Sequence, residues 1–113
     1  MSNRKPIIQD PVSAMIREHG VRITAVHAIK DANLLLVMLN NGRLEFSLDG
    51  FKRLAKASEA QLSKYELLPD GAGVQWPILD EHLSLRGFLL TAMRELVHRP
   101  RPLRSTARRR LPA

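Results

Sequence analysis

The sequence predicts a single α+β domain, and three observations carry that expectation. An unbroken apolar run, Leu34 to Leu39, is followed by Asn40-Asn41-Gly42 and then by the alternating stretch Arg43 to Leu48. Helix start and stop residues bracket two stretches of helical apolar spacing, near residues 11–19 and 86–98. A chain of 113 residues has room for one core and no second. The expected order is an N-terminal helix, a three-stranded antiparallel meander, short helices, two further short strands and a C-terminal helix.

Asp10-Pro11 opens the first helix, an N-cap oxygen followed by a residue whose fixed φ suits the first helical position. Val12, Met15 and Ile16 fall at i, i+3 and i+4, and Gly20 supplies a left-handed stop. Arg22 to Ile29 is rich in β-branched residues and reads as a strand, with Asp31-Ala32-Asn33 turning the chain. A continuous run such as Leu34 to Leu39 is the pattern of a strand buried on both faces. Asn41-Gly42 is a strong hairpin signal, which places the pair at the turn tip with positive φ at Gly42. On the return strand Leu44, Phe46 and Leu48 point inward. Leu34, Leu36, Leu44, Phe46, Leu48, Leu54 and Trp76 are the expected core.

Phe51, Leu54 and Ala55 share one face of a helix, with Lys52, Arg53 and Lys56 on the other. Ser58 and Gln61 form a capping-box pattern. Tyr65 to Leu68 and Val74 to Trp76 read as short strands around the turn Asp70-Gly71-Ala72-Gly73, and Pro77 stops the second. A last helix from near Arg86 puts Leu89, Met93, Leu96 and Val97 on one side and must end by Pro100.

The net charge of +7 is unevenly placed. From Arg99 onward stand six arginines (Arg99, Arg101, Arg104, Arg108, Arg109 and Arg110) and no acid. Residues 1–98 carry twelve Lys and Arg against eleven Asp and Glu. The expected division is therefore a near-neutral domain over 1–98 and a disordered, arginine-rich tail over 99–113, too polar to repay ordering. The six arginines are the candidate nucleic-acid-binding residues. An acid-free arginine segment attracts polyanions whether or not that is its function.

No residue pattern points to catalysis. Without cysteine there is no disulfide, thiolate zinc site or thiol nucleophile. Ser47 and Ser84 stand outside any G-x-S-x-G, and Gly71 and Gly73 are a lone G-x-G with no phosphate-loop lysine. Asp80, Glu81 and His82 are neighbours in sequence without a second cluster at ligand spacing, while His19 and His27 belong to different elements. Asp80 is better suited to closing a turn through its own backbone. Trp76-Pro77 reads either as a ligand platform or as a core anchor. No enzyme activity, cofactor or metal is expected. The longest apolar run is too short to cross a bilayer and no signal peptide is evident, so a cytoplasmic protein without a membrane partner is expected.

The hairpin L-L-V-M-L-N-N-G-R-L-E-F, the segment F-K-R-L-A-K-A-S-E-A-Q-L and above all the string W-P-I-L-D-E-H-L-S, a W-P-x-L-D-x-x-L-S pattern, carry a family resemblance. Over residues 21–90 the chain resembles the bacterial domain-of-unknown-function family twenty-four forty-two. The resemblance implies a small sheet-containing α+β fold, a bacterial or phage origin, and company in two-gene cassettes of toxin–antitoxin type. Some members look like DNA-binding regulators with a helix-turn-helix appended; here about twenty-five residues follow Phe88, enough for one helix and a tail. The leading expectation is a non-enzymatic regulatory or partner-binding module, antitoxin-like, whose partner is a protein encoded nearby. The alternative is a nucleic-acid-binding accessory protein that uses its arginine tail. A homo-oligomer is compatible with either.

Overall fold

A computed structural model describes residues 10–98. The expected tail from Arg99 onward lies outside the described residues. Helix α1 (Pro11–His19) begins as expected: the Asp10 carboxylate accepts from the Ser13 backbone N–H at 2.9 Å, and Gly20 closes it at φ 61°. Strands β1 (Ile23–Ile29), β2 (Leu34–Leu39) and β3 (Gly42–Ser47) form the antiparallel meander, in spatial order β1-β2-β3. Two short helices follow, α2 (Lys52–Lys56) and α3 (Glu59–Leu62). The Ser58–Gln61 capping box is fully formed, with bonds of 2.9 and 3.1 Å. The Lys30 ammonium donates to the Ala55 and Ala57 carbonyls at the end of α2, groups that have no partner within the helix.

The second half holds one strand more than the sequence suggested. β4 (Glu66–Leu67), β5 (Gly73–Trp76) and β6 (Glu81–Ser84) make a second three-stranded antiparallel sheet. Pro77 does stop β5, but the single turn Pro77–Leu79 then reverses the chain, with Asp80 in the left-handed region at φ 53°. The reversal sets Glu81 opposite Trp76 and lets β6 pair along β5. Ser84 ends that strand and caps α4 (Leu85–His98), its hydroxyl accepting from the Gly87 N–H at 2.9 Å.

Two expectations about the hairpin are corrected. Leu39 pairs with Gly42, so the tip is Asn40-Asn41, and Gly42 is the first residue of β3 with no positive φ. Long-range contacts override the local Asn-Gly preference. The Asn40 side chain accepts from the Arg22 N–H at 3.0 Å and donates to the Gly20 carbonyl at 2.9 Å, fastening the tip to the junction between α1 and β1. The second correction follows from this register. Leu35 stands opposite Phe46 and Val37 opposite Leu44, so Leu35 and Val37 point into the core, while Leu34 and Leu36 lie on the outer face, half-buried. A shift of one residue exchanges the two faces. β2 is therefore buried on one face rather than two, and Leu44 is only half-buried.

Substituting Gly42 by valine is accordingly expected to be mild. A Cβ there meets nothing within 4 Å, and a β-branched side chain suits an extended strand. The midpoint of urea unfolding should move by the equivalent of about 0.5 kcal/mol or less. A loss above about 2 kcal/mol would show that Gly42 sits in a strained turn after all.

The core gathers both sheets and the helices. Ile23 and Val26 from β1, Leu35 and Val37 from β2, Phe46 and Leu48, Leu54 and Leu62, Val74 and Trp76, and Leu85 and Phe88 are all buried. Ile23 and Val26 share a face although they are three residues apart, because a bulge at Thr24 adds one residue to β1 between its pairs with Leu39 and Met38. The rings of Phe46, Phe51 and Phe88 meet at centroid distances of 5.5–6.0 Å, joining β3 to α4.

Candidate protein-interaction surface

The residues singled out for chemistry do not converge. Trp76 is a core anchor: its ring is fully buried and its indole N–H donates to the Leu62 carbonyl at 3.0 Å. Asp80 lies in the turn before β6, and its side chain is fully exposed beside Arg53, 3.7 Å away. His82 stands opposite Gln75 in the second sheet, and His27 opposite Leu36 in the first. Among the described residues no group of three or more histidines and carboxylates could hold a metal ion. Lys52, Arg53 and Lys56 are exposed, with the Arg53 guanidinium also donating to the Asp80 carbonyl. The six candidate arginines, from Arg99 to Arg110, lie outside the described residues.

The distinctive surface is apolar. α1 lies beside α4, and the start of each helix is joined by a two-pronged ion pair: the Asp10 carboxylate accepts from Arg86 Nε at 2.9 Å and from Arg86 Nη2 at 2.8 Å. Farther along, Met15 and Ile16 of α1 and Leu89 and Met93 of α4, with Val21 and Leu39 below, line a groove of about 360 Å³. α4 then continues past its last buried neighbour, and every residue from Met93 to His98 is exposed. Met15 is 54% exposed, Met93 50%, Leu96 69% and Val97 76%. Together these four present on the order of 400 Å² of apolar surface, the size at which a patch on a small protein is commonly functional. The sequence placed Leu89, Met93, Leu96 and Val97 on one side of a helix. Periodicity marks an apolar face without saying what covers it.

A second apolar region lies on the outer face of the first sheet. Leu34, Leu36 and Met38 are half-buried there and Ile29 is exposed. The space between this face and α3 is bordered by His27, Glu59 and Tyr65, whose hydroxyl accepts from the Val26 N–H. It is less apolar than the helical groove.

The Arg86 guanidinium, aided by the Ser13 N–H, holds the Asp10 carboxyl well below the usual carboxylate range. A lowered folded pKa stabilises the fold while the group is charged. The contribution is complete above the ordinary carboxylate value of about 4 and is lost as pH falls from there through the lower folded value. Asp10→Asn keeps a capping oxygen but removes the charge. Its deficit relative to the parent should be constant between about pH 6 and 8 and shrink steadily as pH falls below about 4, as read from urea unfolding across that range. A deficit that grows in acid would assign the stabilisation to another group.

This chain is a small two-sheet α+β module with a helical apolar face, and it belongs to the family described as protein of unknown function (DUF2442), whose model matches residues 23–92. The chain is similar to a protein of unknown function from Rhodospirillum rubrum, known from a crystal structure, at 30% identity and a TM-score of 0.55 over 63% of this chain and 87% of that one. It is also similar to an uncharacterised protein from Chromobacterium violaceum, known from a solution NMR structure, at 27% identity and a TM-score of 0.57 over 83% of this chain and 87% of that one. No curated protein matches. Met15, Met93, Leu96 and Val97 all lie outside the matched segment 23–92. Among the described residues no helix is long and apolar enough to cross a membrane.

Proposed function

We propose that this chain is a non-enzymatic, regulatory module that binds a protein partner, an antitoxin-like component whose partner is encoded nearby. The observation that supports it is the exposed stripe Met93, Leu96 and Val97, with Met15 beside it, on a helix that outruns its own domain. Apolar side chains displayed in a row on a helix are the usual material of a helix-mediated interface. The test is co-expression with the product of the adjacent gene. The two proteins should co-elute, and Leu96→Glu with Val97→Glu should weaken binding at least about tenfold, near 1.4 kcal/mol. The same double variant should unfold within about 0.5 kcal/mol of the parent, because neither side chain is buried. Undiminished binding by the variant would remove the stripe from the interface.

One observation favours a second reading. Residues 10–98 carry ten Lys and Arg against eleven Asp and Glu, so the excess positive charge lies entirely in the two terminal segments. A nucleic-acid accessory protein would use Arg99, Arg101, Arg104, Arg108, Arg109 and Arg110 for phosphate contacts. Four to six such contacts correspond to a log–log salt slope of about −3.6 to −5.4 for duplex DNA. Comparing the full chain with one ending at His98 tests this, and equal affinity for both would exclude the tail.

A further inference from the structure

We infer that, when no other protein covers it, the groove between α1 and α4 takes the exposed end of α4 from a second copy of this chain, each copy filling the other's groove. This goes beyond the partner-binding reading and does not depend on it, although both use one surface. α1 has nine residues and α4 fourteen. Asp10 and Arg86 tie the two helices near their starts, and both contribute side chains to one groove farther on, so they run the same way. Leu89 and Met93 lie alongside α1, with Met15 and Ile16, and α4 exceeds α1 by five residues, about 1.4 turns. Leu96 and Val97 stand exposed on that excess. The chain thus carries an apolar recess and an apolar projection side by side, which is what a self-complementary two-fold contact requires.

Antiparallel pairing of two α4 helices about an axis at Met93 meets the requirement. It sets Met93 against Met93 and, four residues to either side, Val97 of each copy against Leu89 of the other. Positions 89, 93 and 96 have the four-then-three spacing by which helices pack in pairs. Met15 and Met93 are unbranched and polarisable, side chains that conform to an incoming surface. The area is sufficient. Met15, Met93, Leu96 and Val97 present on the order of 400 Å² of apolar surface. Homodimer interfaces are roughly 65% apolar, so this corresponds to about 600 Å² per copy and about 1,200 Å² in all. That total clears the roughly 1,000 Å² expected of a specific interface and lies at the low end of the standard size, as suits a dimer that dissociates in the micromolar range. Charge does not oppose it. Residues 10–98 carry ten Lys and Arg against eleven Asp and Glu, and the antiparallel order puts the two His98 ends on opposite sides of the contact.

The experiment is sedimentation equilibrium of the full chain from about 1 to 300 μM, which should show a monomer–dimer equilibrium with a dissociation constant of about 10–100 μM. Leu96→Glu should raise that constant at least about tenfold. Ile29→Glu, on the outer face of the first sheet, should leave it unchanged. The chain has no cysteine, so introduced thiols report the register. Under mild oxidation Met93→Cys should link one copy to another, and Val97→Cys should link to Leu89→Cys in a mixture faster than to itself. A chain that is still monomeric at about 300 μM overturns the inference. So does a dimer that Leu96→Glu leaves intact, and so does one in which Ile29→Cys links copies and Met93→Cys does not. If the chain stays monomeric while the adjacent gene product binds through Leu96 and Val97, the inference fails and the partner-binding reading stands. If the chain pairs through Leu96 while that product does not bind, the reading fails and the inference stands.

Discussion

Gly71→Ala should remove at least about 3 kcal/mol of stability, a large share of what a domain of this size possesses. Gly71 has φ 62°, and a Cβ built there would lie 2.5 Å from the Ile23 carbonyl oxygen and 2.8 Å from the Ile23 nitrogen. Both obstacles are backbone atoms of β1, which is paired to β2 and cannot retreat without opening the first sheet. Gly20 provides the control. It has nearly the same φ, 61°, but a Cβ there meets nothing within 4 Å. Gly20→Ala should therefore cost only about 1–2 kcal/mol for the left-handed conformation, and the difference between the two variants isolates the steric clash. Urea unfolding of the pair is the measurement. Equal losses would mean that the turn before β5 does not press against β1.

Trp76→Ala should be comparably severe, about 3–5 kcal/mol. The ring is fully buried, sits 6.2 Å from Tyr65 between centroids, and joins the second sheet to the end of α3 through the Leu62 carbonyl. Trp76→Phe separates the two contributions, because it keeps most of the apolar volume and leaves that carbonyl without its donor. The orphaned acceptor should cost about 1–3 kcal/mol. Trp76 is the single tryptophan, so fluorescence follows unfolding of the parent and far-UV circular dichroism follows the variants. A loss below about 1 kcal/mol for Trp76→Ala would contradict its place at the centre of the core.

Much of the fold could be read from residues whose preferences are local. Asp10-Pro11 and Gly20 bound α1, Ser58 and Gln61 cap α3, and the alternation of Leu44 and Phe46 marks β3. What could not be read depended on partners distant in sequence. Leu34 to Leu39 contains no polar residue, so nothing in it says which three side chains face the core; the answer comes from the pairing with β3. Asn40 settles the turn through Gly20 and Arg22, contacts about twenty residues away. β6 was missed because Glu81 and His82 look like a polar loop until the turn at Asp80 lays them along β5. The interaction surface was half legible. Its residues were placed on one helix face, but Met15 and Met93 have the spacing of core residues, and only the packed structure shows that solvent reaches them.

Each sheet is drawn from one unbroken stretch of chain, residues 23–47 for the first and 66–84 for the second. Pairings within a stretch close short loops, so either meander can form without waiting for the other, and the domain has the makings of a fast folder. The Asp10–Arg86 contact spans 76 positions and belongs to the slowest class of closure. α1 is thus the element expected to dock last and to detach first. Under native conditions the amides of α1 should exchange with solvent through an opening far smaller than global unfolding, while those of β2, flanked by strands on both sides, should exchange only when the whole domain opens. Loss of α1 would strip Met15 from the groove and leave the rest of the fold standing, so occupancy of the groove and protection of the α1 amides should rise together.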